Sequence, residues 1–428
     1  MLKSIFTQIL NRKRSNAWLV VELLLVYFLT WFIADYLFVL VYNQNIPDGR
    51  NIRHTWQIVL DEYPDTHPRY SADENTAEAR EANFARVLQM LHDYPGVEAV
   101  GISFNGSNPG SGNYHGRVFT SADDSTKSAG GQQIMLDPGE DFFRVFAYTS
   151  GEGKQAVSMR DFDTARPDGV ILGRMTAELL FPGTSAVGKQ LSGNGETPLN
   201  VIGVVDDIKR FGYRRPQHAY YLFYRTDAGN LRTAAISVRS RAAAGNAFGE
   251  TLKKDMTERL QAGNFYMKSV ISYGKIASNT KKMFGMSDDI RTKVALMIFF
   301  LLNILLCVTG TFWHRVSARR EEIGIRRALG SSAAGIRYLL LAEGLALLTI
   351  AMLPALFVEV QYISAGLIDT MGTNSDDNII RLPDRMWLRF LIANAITWTV
   401  MAAVIAVAVW LPARRAVALP TAEALHYE

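Results

Sequence analysis

The sequence has a single cysteine, Cys307, among its 428 residues. A disulfide within the chain and a cysteine-based metal site are therefore both excluded. The seven histidines show no metalloprotease spacing, and no Gly-x-Ser-x-Gly nucleophile elbow occurs. The net charge of +4 is mild, and its basic excess lies in short loops beside apolar runs, so it does not point to nucleic acid. These absences leave no catalytic residue or metal site to nominate.

A complete phosphate-binding loop is also missing. Residues 183–190 read Gly-Thr-Ser-Ala-Val-Gly-Lys-Gln, which is close to the motif. The motif needs a serine or threonine after the lysine to hold magnesium, and Gln190 stands at that position. We interpret the stretch as a structural turn. We expect the chain to hydrolyse no nucleotide and to carry no cofactor of its own.

What the sequence does contain is four apolar runs, each long enough to cross a bilayer as a helix. They predict transmembrane helices at residues 17–42, 294–312, 338–358 and 390–411. Residues 1–16 carry basic side chains and apolar residues at helical spacing, which predicts an amphipathic helix at the membrane surface, in contact with lipid. The first run lacks a cleavage site, so we expect a retained anchor.

The charges of the connecting loops predict the orientation. The connector 315–337 holds six arginines against two acids, and such an excess marks the cytoplasmic side. The loop 361–386 holds four acids and two arginines, which suits the outside. Residues 43–290 then lie outside, while both termini, including the tail 412–428, lie in the cytoplasm.

Residues 43–290 read as a large α+β domain built from two βαβ passes. The first pass is strand 54–60, helix 76–92 and strand 97–104, and the second is strand 233–239, helix 246–260 and strand 265–271. Together they predict one split βαβ lobe. Residues 105–133 read as a long loop, and a strand-rich lobe is inserted at about 140–225, with candidate strands at 142–148, 169–172 and 199–205. The predicted fold is thus a four-helix membrane protein with a large α+β extracytoplasmic domain.

Three acidic residues fall inside the apolar runs: Glu22, Asp35 and Glu343. Charges at such depth are costly and usually face protein or water. For Glu22 and Asp35 an ion pathway is one interpretation. We favour the other, an interfacial position or a partner on a neighbouring helix, because both residues lie near the ends of the run. The need for partners also favours assembly with a second subunit.

The connector contains a short amphipathic helix by its own pattern. Glu322 and Arg326 are spaced for a helical ion pair, and Ile325, Ala328 and Leu329 fall on one side. Gly330 supplies a stop signal. Such a helix either rests on lipid or docks a cytosolic partner. A glycine mid-helix costs about 1 kcal/mol relative to alanine, so Gly324 suggests close approach to a partner surface.

Residues 320–331 resemble the coupling-loop signature of the MacB/FtsX-type ABC transporter permeases. The resemblance implies that the ATPase-coupling residues are Glu321, Glu322, Ile323, Gly324, Ile325, Arg326, Arg327, Ala328, Leu329 and Gly330. Glu343 matches an acidic residue that the family often carries early in the next span. Residues 176–183, 187–189 and 201–209 resemble its periplasmic core domain, and residues 412–425 resemble its carboxyl end.

The resemblance implies a multi-pass protein of the bacterial inner membrane that works in homo- or heteromeric pairs. ATP and magnesium would be bound by a separate cytosolic ATPase, because the fused nucleotide-binding domain of the MacB type is absent. A periplasmic adaptor or hydrolase is a further implied partner. The cargo stays open, and so do three alternatives: a regulator of a cell-wall hydrolase that transports nothing, a membrane receptor, and an ectoenzyme. The first span matches no family motif, which leaves the role of Glu22 and Asp35 open.

Overall fold

The fold is given by a computed structural model that describes residues 13–151, 154–193, 197–245, 247–260, 262–367 and 386–418. The chain forms two compact units, which we call the membrane unit (Met1–Tyr42 with Ser287–Glu428) and the α/β domain (Asn43–Met286). In chain order the α-helices are α1 (Lys13–Asn45), α2 (Ala77–His92), α3 (Phe142–Val145), α4 (Arg174–Leu180), α5 (Phe248–Arg259), α6 (Tyr273–Met283), α7 (Met286–Ala318), α8 (Arg320–Ala328), α9 (Ala333–Ser364) and α10 (Met386–Ala418).

Four of these helices, α1, α7, α9 and α10, are long and apolar enough to cross a membrane. Each is longer than the run that predicted it, because polar residues continue a helix beyond its apolar centre. Helix α9, for example, begins at Ala333 because the preceding residue, Ser332, caps it: the Ser332 hydroxyl accepts a hydrogen bond from the Gly335 amide. Helix α10 continues through Pro412, where the sequence predicted the start of the tail. The predicted surface helix 1–16, the loop 361–386 and the tail lie mostly outside the described residues.

The core of the membrane unit is made of side chains from all four spanning helices, among them Tyr27, Phe312, Leu347 and Ile405. Gly344 permits close packing of α9 on α10, since a Cβ there would lie 2.9 Å from Cγ2 of Ile405. Small residues at such positions let transmembrane helices approach closely enough for van der Waals contact to hold them together.

The strands of the α/β domain are β1 (Thr55–Glu62), β2 (Val97–Phe104), β3 (Gly116–Ser121), β4 (Ser128–Leu136), β5 (Thr149–Ser150), β6 (Gln155–Ala156), β7 (Gly169–Gly173), β8 (Gln190–Ser192), β9 (Leu199–Val205), β10 (Ile208–Lys209), β11 (Pro216–Gln217), β12 (Ala219–Phe223), β13 (Ala234–Ser240) and β14 (Phe265–Ser272). Ten of them form one sheet in the order β12-β7-β9-β8-β3-β4-β2-β13-β1-β14.

The predicted split βαβ lobe is confirmed at one end of this sheet, in the order β2-β13-β1-β14. Strand β13 lies between β1 and β2 and is antiparallel to both. Helices α2 and α5 bury Phe84, Leu91 and Leu252 in the core of this lobe, against sheet residues such as Ile58 and Ile236. Thr76 caps α2 by accepting a hydrogen bond from the Ala79 amide, which is why the helix starts where the sequence predicted it.

The inserted lobe is present but starts earlier than predicted. Strands β12, β7, β9, β8, β3 and β4 form a closed ring, because β12 pairs with β4 as well as with β7. The prediction of a loop over 105–133 was therefore wrong, since that stretch contains β3 and much of β4. Its glycines suggested a loop, yet Gly131 is in β4 because the neighbouring backbone is close: a Cβ there would lie 2.7 Å from the His218 carbonyl oxygen.

The strand predicted at 142–148 was also wrong, because Phe142–Val145 form the short helix α3. The Asp141 side chain accepts a hydrogen bond from the Arg144 amide and so caps the turn. The aromatic residues that suggested a strand are buried on every side of this turn, among them Phe142, Phe143 and Phe146. Only Arg144 of this one-turn helix is exposed. A short apolar run of this kind has no helical periodicity and is therefore easily read as a buried strand.

The start of α4 depends on a half-buried carboxylate. The Met175 amide donates a 2.8 Å hydrogen bond to Oδ1 of Asp207. Burial outweighs this hydrogen bond and raises the pKa of Asp207 to about 6. The folded protein thus holds a proton on Asp207 across a pH range in which the unfolded chain, with a pKa of about 3.9, has released it.

We expect this carboxylate to make the folded state less stable as the pH rises from about 4 to about 6, because the unfolded chain binds fewer protons in that window. The loss is about 1 kcal/mol once solvent screening of a half-exposed group is allowed for. Asp207→Asn keeps the oxygen that caps α4 and should remove this pH dependence. Thermal unfolding of the full chain in detergent at pH 4 to 7 measures it, with the exposed Asp65→Asn as control. Equal pH profiles for wild type and Asp207→Asn would contradict this assignment.

Candidate coupling site between the second and third spanning helices

The connector between α7 and α9 is mostly helical. The sequence predicted a connector over 315–337 with a short amphipathic helix in it, and α8 (Arg320–Ala328) is that helix. The connector is shorter than predicted, because α7 continues to Ala318 and α9 begins at Ala333. Helix α8 ends in a Schellman motif, in which the Ser331 amide donates to the Arg326 carbonyl and the Gly330 amide to the Arg327 carbonyl. Gly330 has a φ of +93°, a conformation that glycine adopts without strain, so the structure confirms the predicted stop.

Helix α8 has one buried side and one exposed apolar side. Ile323 is buried in the core of the membrane unit, and Gly324 is buried next to it. On the other side Ile325 is 49% exposed and Leu329 is 81% exposed. The predicted grouping of Ile325, Ala328 and Leu329 thus lies at the surface. The interpretation of Gly324 was wrong, because this glycine is buried within the chain and does not present its backbone to a partner.

The charged residues of α8 lie mainly at the surface. Glu322 and Arg326 form the predicted pair, with 2.7 Å between Oε1 and Nη2, and their side chains are 45% and 38% exposed. Glu321 is exposed and Arg327 half-buried. A pair so exposed contributes only about 0.3–0.5 kcal/mol to stability.

Glu343, in α9, forms ion pairs with two arginines at the start of this connector. Its Oε1 lies 2.9 Å from Nη1 of Arg315, and its Oε2 lies 3.1 Å from Nη1 of Arg319. All three side chains are at most 9% exposed. We call Arg315, Glu343 and Arg319 the buried triad. It joins the end of α7, the residue preceding α8, and α9.

The sequence had assigned Arg315 and Arg319 to topology alone and missed that they are the partners of Glu343. One signal was available. The two arginines are four residues apart at the end of a helical run, so their side chains fall on one side. An acidic residue in the following span is the natural partner for two such cations.

The other predicted intramembrane acids also have partners within the chain. Asp35 is buried against Arg389 of α10, with 2.7 Å from Nε to Oδ1 and 2.5 Å from Nη2 to Oδ2. Glu22 accepts a hydrogen bond from Sγ of Cys307 at 2.8 Å. Pairing with a neighbouring helix, the interpretation we favoured, therefore describes both residues. The argument that these acids need a second subunit is correspondingly wrong.

A further buried carboxylate was missed, because it lies just past the predicted end of the third span. Glu359 of α9 accepts a 2.8 Å hydrogen bond from the Asn394 amide group, and Asn394 in turn accepts one from the Tyr27 hydroxyl at 3.0 Å. This network connects α9, α10 and α1. Within the described residues, no group of three or more histidine, cysteine, aspartate or glutamate side chains could hold a metal ion.

The incomplete phosphate-binding motif lies between α4 and β8. Gly183 and Gly188 have positive φ angles of 73° and 87°, and Lys189 pairs with Asp123 at 2.8 Å. The stretch is thus the structural turn that its sequence predicted, with its lysine held by a carboxylate at the surface.

Comparison with known proteins gives two family matches that together include most of the chain. Residues 42–253 match the MacB-like periplasmic core domain, and residues 294–420 match the FtsX-like permease C-terminal domain. This order of a core domain followed by a permease domain defines a class of multi-pass membrane proteins. The chain belongs to the MacB/FtsX-type ABC transporter permeases.

One curated relative is the "Probable syringafactin export ATP-binding/permease protein SyfD" of Pseudomonas syringae pv. tomato (strain ATCC BAA-871 / DC3000). It is 28% identical over 182 residues, a match that covers 41% of this chain and 26% of SyfD, so the chain spans about a quarter of that relative.

Two similar solved structures are isolated domains. The periplasmic region of MacB from Actinobacillus actinomycetemcomitans is 16% identical, with a TM-score of 0.32, over 54% of this chain and 94% of that one. The extracellular domain of the noncanonic ABC-type transporter YknZ from Gram-positive bacteria is 16% identical, with a TM-score of 0.29, over 50% of this chain and 100% of that one.

Proposed function

We propose that this permease couples ATP hydrolysis by a separate cytosolic ATPase to motion of its α/β domain, and that the motion exports or extracts a substrate. The observation that carries the proposal is the arrangement of α8. Its apolar side with Ile325 and Leu329 is exposed, while the buried triad holds the helix ends beside it. The exposed side of α8 could therefore bind a partner, and the buried triad would connect it firmly to the spanning helices α7 and α9.

The direction of transport is supported by one comparison only. The name of SyfD describes an export protein with ATP-binding and permease functions. Because the match spans about a quarter of SyfD, export is a proposal for this chain. The separate ATPase, which would bind ATP and magnesium, is a proposal as well. The test is reconstitution. The permease is co-expressed with its ATPase, and the two are reconstituted in nanodiscs. The permease should then stimulate ATP hydrolysis. An ATPase that neither binds the permease nor changes its hydrolysis rate would contradict the proposal.

We further propose an inner-membrane orientation with the α/β domain outside and both termini in the cytoplasm. Ser125 and Ser331 are exposed positions on the α/β domain and beside α8. In a Cys307→Ser background, Ser125→Cys should react with an impermeant maleimide applied from outside, and Ser331→Cys should react only after the membrane is opened. Labelling of Ser331→Cys in intact cells would overturn the orientation.

We expect two permease chains in each working complex. Four spanning helices are too few to enclose a path through the membrane. Native mass spectrometry of the ATPase-bound complex should give a mass that fits two four-helix chains, identical or different. A mass that fits only one would contradict this expectation.

A further inference from the structure

The α/β domain is joined to the spanning helices by two segments, and one small hairpin contacts both. The first segment is residues 43–50, which contains the last residues of α1. The second is residues 273–286, which contains α6 and ends at the first residue of α7. The hairpin is formed by β10 and β11, which pair Ile208 with Gln217 and Lys209 with Pro216. All of these residues lie within the α/β domain unit.

Lys209 holds the first segment. Its side chain is buried, and its Nζ donates to the carbonyl of Asn43 at 2.7 Å and to the carbonyl of Ile46. An ammonium group at the carboxyl end of a helix satisfies carbonyls that have no partner in the helix and interacts well with the helix dipole. Burial lowers the pKa of Lys209, an effect that the charge of Asp48 opposes.

The backbone of Lys209 is held by the same segment. Its amide donates to Oδ1 of Asp48 at 3.1 Å, and its carbonyl accepts from Nη2 of Arg50 at 2.6 Å. The hairpin and residues 43–50 therefore share four hydrogen bonds through this one residue. A lysine needed only for solubility would not be buried or bonded in this way.

The next two residues of the hairpin reach the second segment. Nη2 of Arg210 donates to the carbonyl of Gly112, and the ring of Phe211 lies 5.4 Å from the ring of Phe284, the residue that follows α6. Gly112 is itself packed on the second segment, because a Cβ there would lie 2.9 Å from the Phe284 ring and 3.1 Å from Cγ2 of Thr280 in α6. The Thr280 hydroxyl donates to the carbonyl of Gly110 in the same loop.

We propose that the hairpin Ile208–Gln217 is a clasp that fastens the two segments to each other, with Lys209 and Phe211 as its positioning residues. The purpose of the clasp rests on the proposed function, in which motion reaches the α/β domain through α1 and α7. A displacement of either segment is then shared by both, so that the domain moves as one body and is not twisted between its two attachments.

Hydrogen exchange of the full chain in nanodiscs tests the clasp without nucleotide or ATPase. Lys209→Met keeps the unbranched apolar part of the side chain and removes the ammonium donors. Exchange at residues 43–50 should rise about tenfold or more, as for the loss of a charge-assisted hydrogen bond, and exchange at residues 277–285 should rise as well. The matched control is Lys189→Met, which removes an exposed lysine of the same domain and should change neither segment.

If exchange in Lys209→Met rises only at residues 43–50, Lys209 is a local helix cap and the clasp is overturned. No rise in exchange at either segment would overturn it as well. Phe211→Leu weakens the contact of the hairpin with the second segment. It is the test variant if Lys209→Met does not fold. It should raise exchange at both segments, and a rise at residues 277–285 alone would overturn the clasp. Because no ATPase is present, this failure would leave the proposed function standing. Equally, a chain that binds no ATPase would leave the exchange result intact.

Discussion

Glu343→Gln is expected to destabilise the membrane unit by about 3–5 kcal/mol, because the substitution removes a buried carboxylate that pairs with two buried arginines. The carboxylate accepts from Arg315 and Arg319 in a site where all three side chains are at most 9% exposed. A neutral amide can accept one of these hydrogen bonds but balances neither charge. Denaturation of the purified full chain in mixed micelles measures the loss, and less folded protein should be recovered from membranes.

The matched control for this experiment is Glu322→Gln. Glu322 also pairs with an arginine, at 2.7 Å, but both side chains are well exposed. Its loss should cost only about 0.3–0.5 kcal/mol. Similar stabilities for the two variants would show that the buried triad has no special role in holding the connector.

A triple variant separates charge imbalance from loss of packing. Replacing all members together, as Arg315→Met, Arg319→Met and Glu343→Leu, removes the buried charges and keeps apolar volume. Buried ion pairs replaced in this way often leave stability unchanged or raise it. We therefore expect the triple variant to regain most of the stability that Glu343→Gln loses. A triple variant as unstable as Glu343→Gln would mean that packing, and not charge, determines the effect.

Introducing glutamate at Ile325 and Leu329 is expected to leave the permease folded and inserted but to weaken its association with the ATPase strongly. Both side chains are exposed in the isolated chain, so the cost to the fold is small. At a docked interface a buried, unpaired charge costs about 2–5 kcal/mol, which lowers affinity roughly 30-fold or more. Reversing Arg326 and Arg327 to glutamate should have the same effect. Binding of the purified ATPase to nanodisc-embedded variants gives the affinity.

Leu179→Glu is the matched control, since Leu179 is an apolar helical residue on the α/β domain whose exposure is close to that of Ile325. It should bind the ATPase as wild type does. Wild-type affinity in the Ile325 and Leu329 variant would favour a helix that rests on lipid.

Gly324→Leu is not a clean probe of docking. Because Gly324 is buried within the chain, added bulk there should disturb the packing of α8 before it reaches any partner.

The features that the sequence predicted well are those with a short-range signal. Apolar runs located the four spanning helices, and strand-helix-strand periodicity located the split lobe. The helical pair of Glu322 and Arg326 was predicted, but ion pairs between distant residues were not. Asp35 and Arg389, for example, meet only once α1 packs on α10. Helix α8 was predicted as an amphipathic helix from its local pattern. Which of its sides is buried was not predicted, for the same reason. That choice depends on where Ile323 packs in the membrane unit.

The insertion of a closed ring of strands into the split lobe has a consequence for biosynthesis. Strand β2 ends at Phe104, and its partner β13 begins only at Ala234, after the whole ring. Strands β1 and β2 do not pair with each other, so each has an unpaired edge until β13 has been made. Contacts so far apart in sequence form slowly, and open strand edges are prone to aggregation. We therefore expect nascent chains that stop before β13 to depend on chaperones, and chains that extend beyond β14 to fold without them.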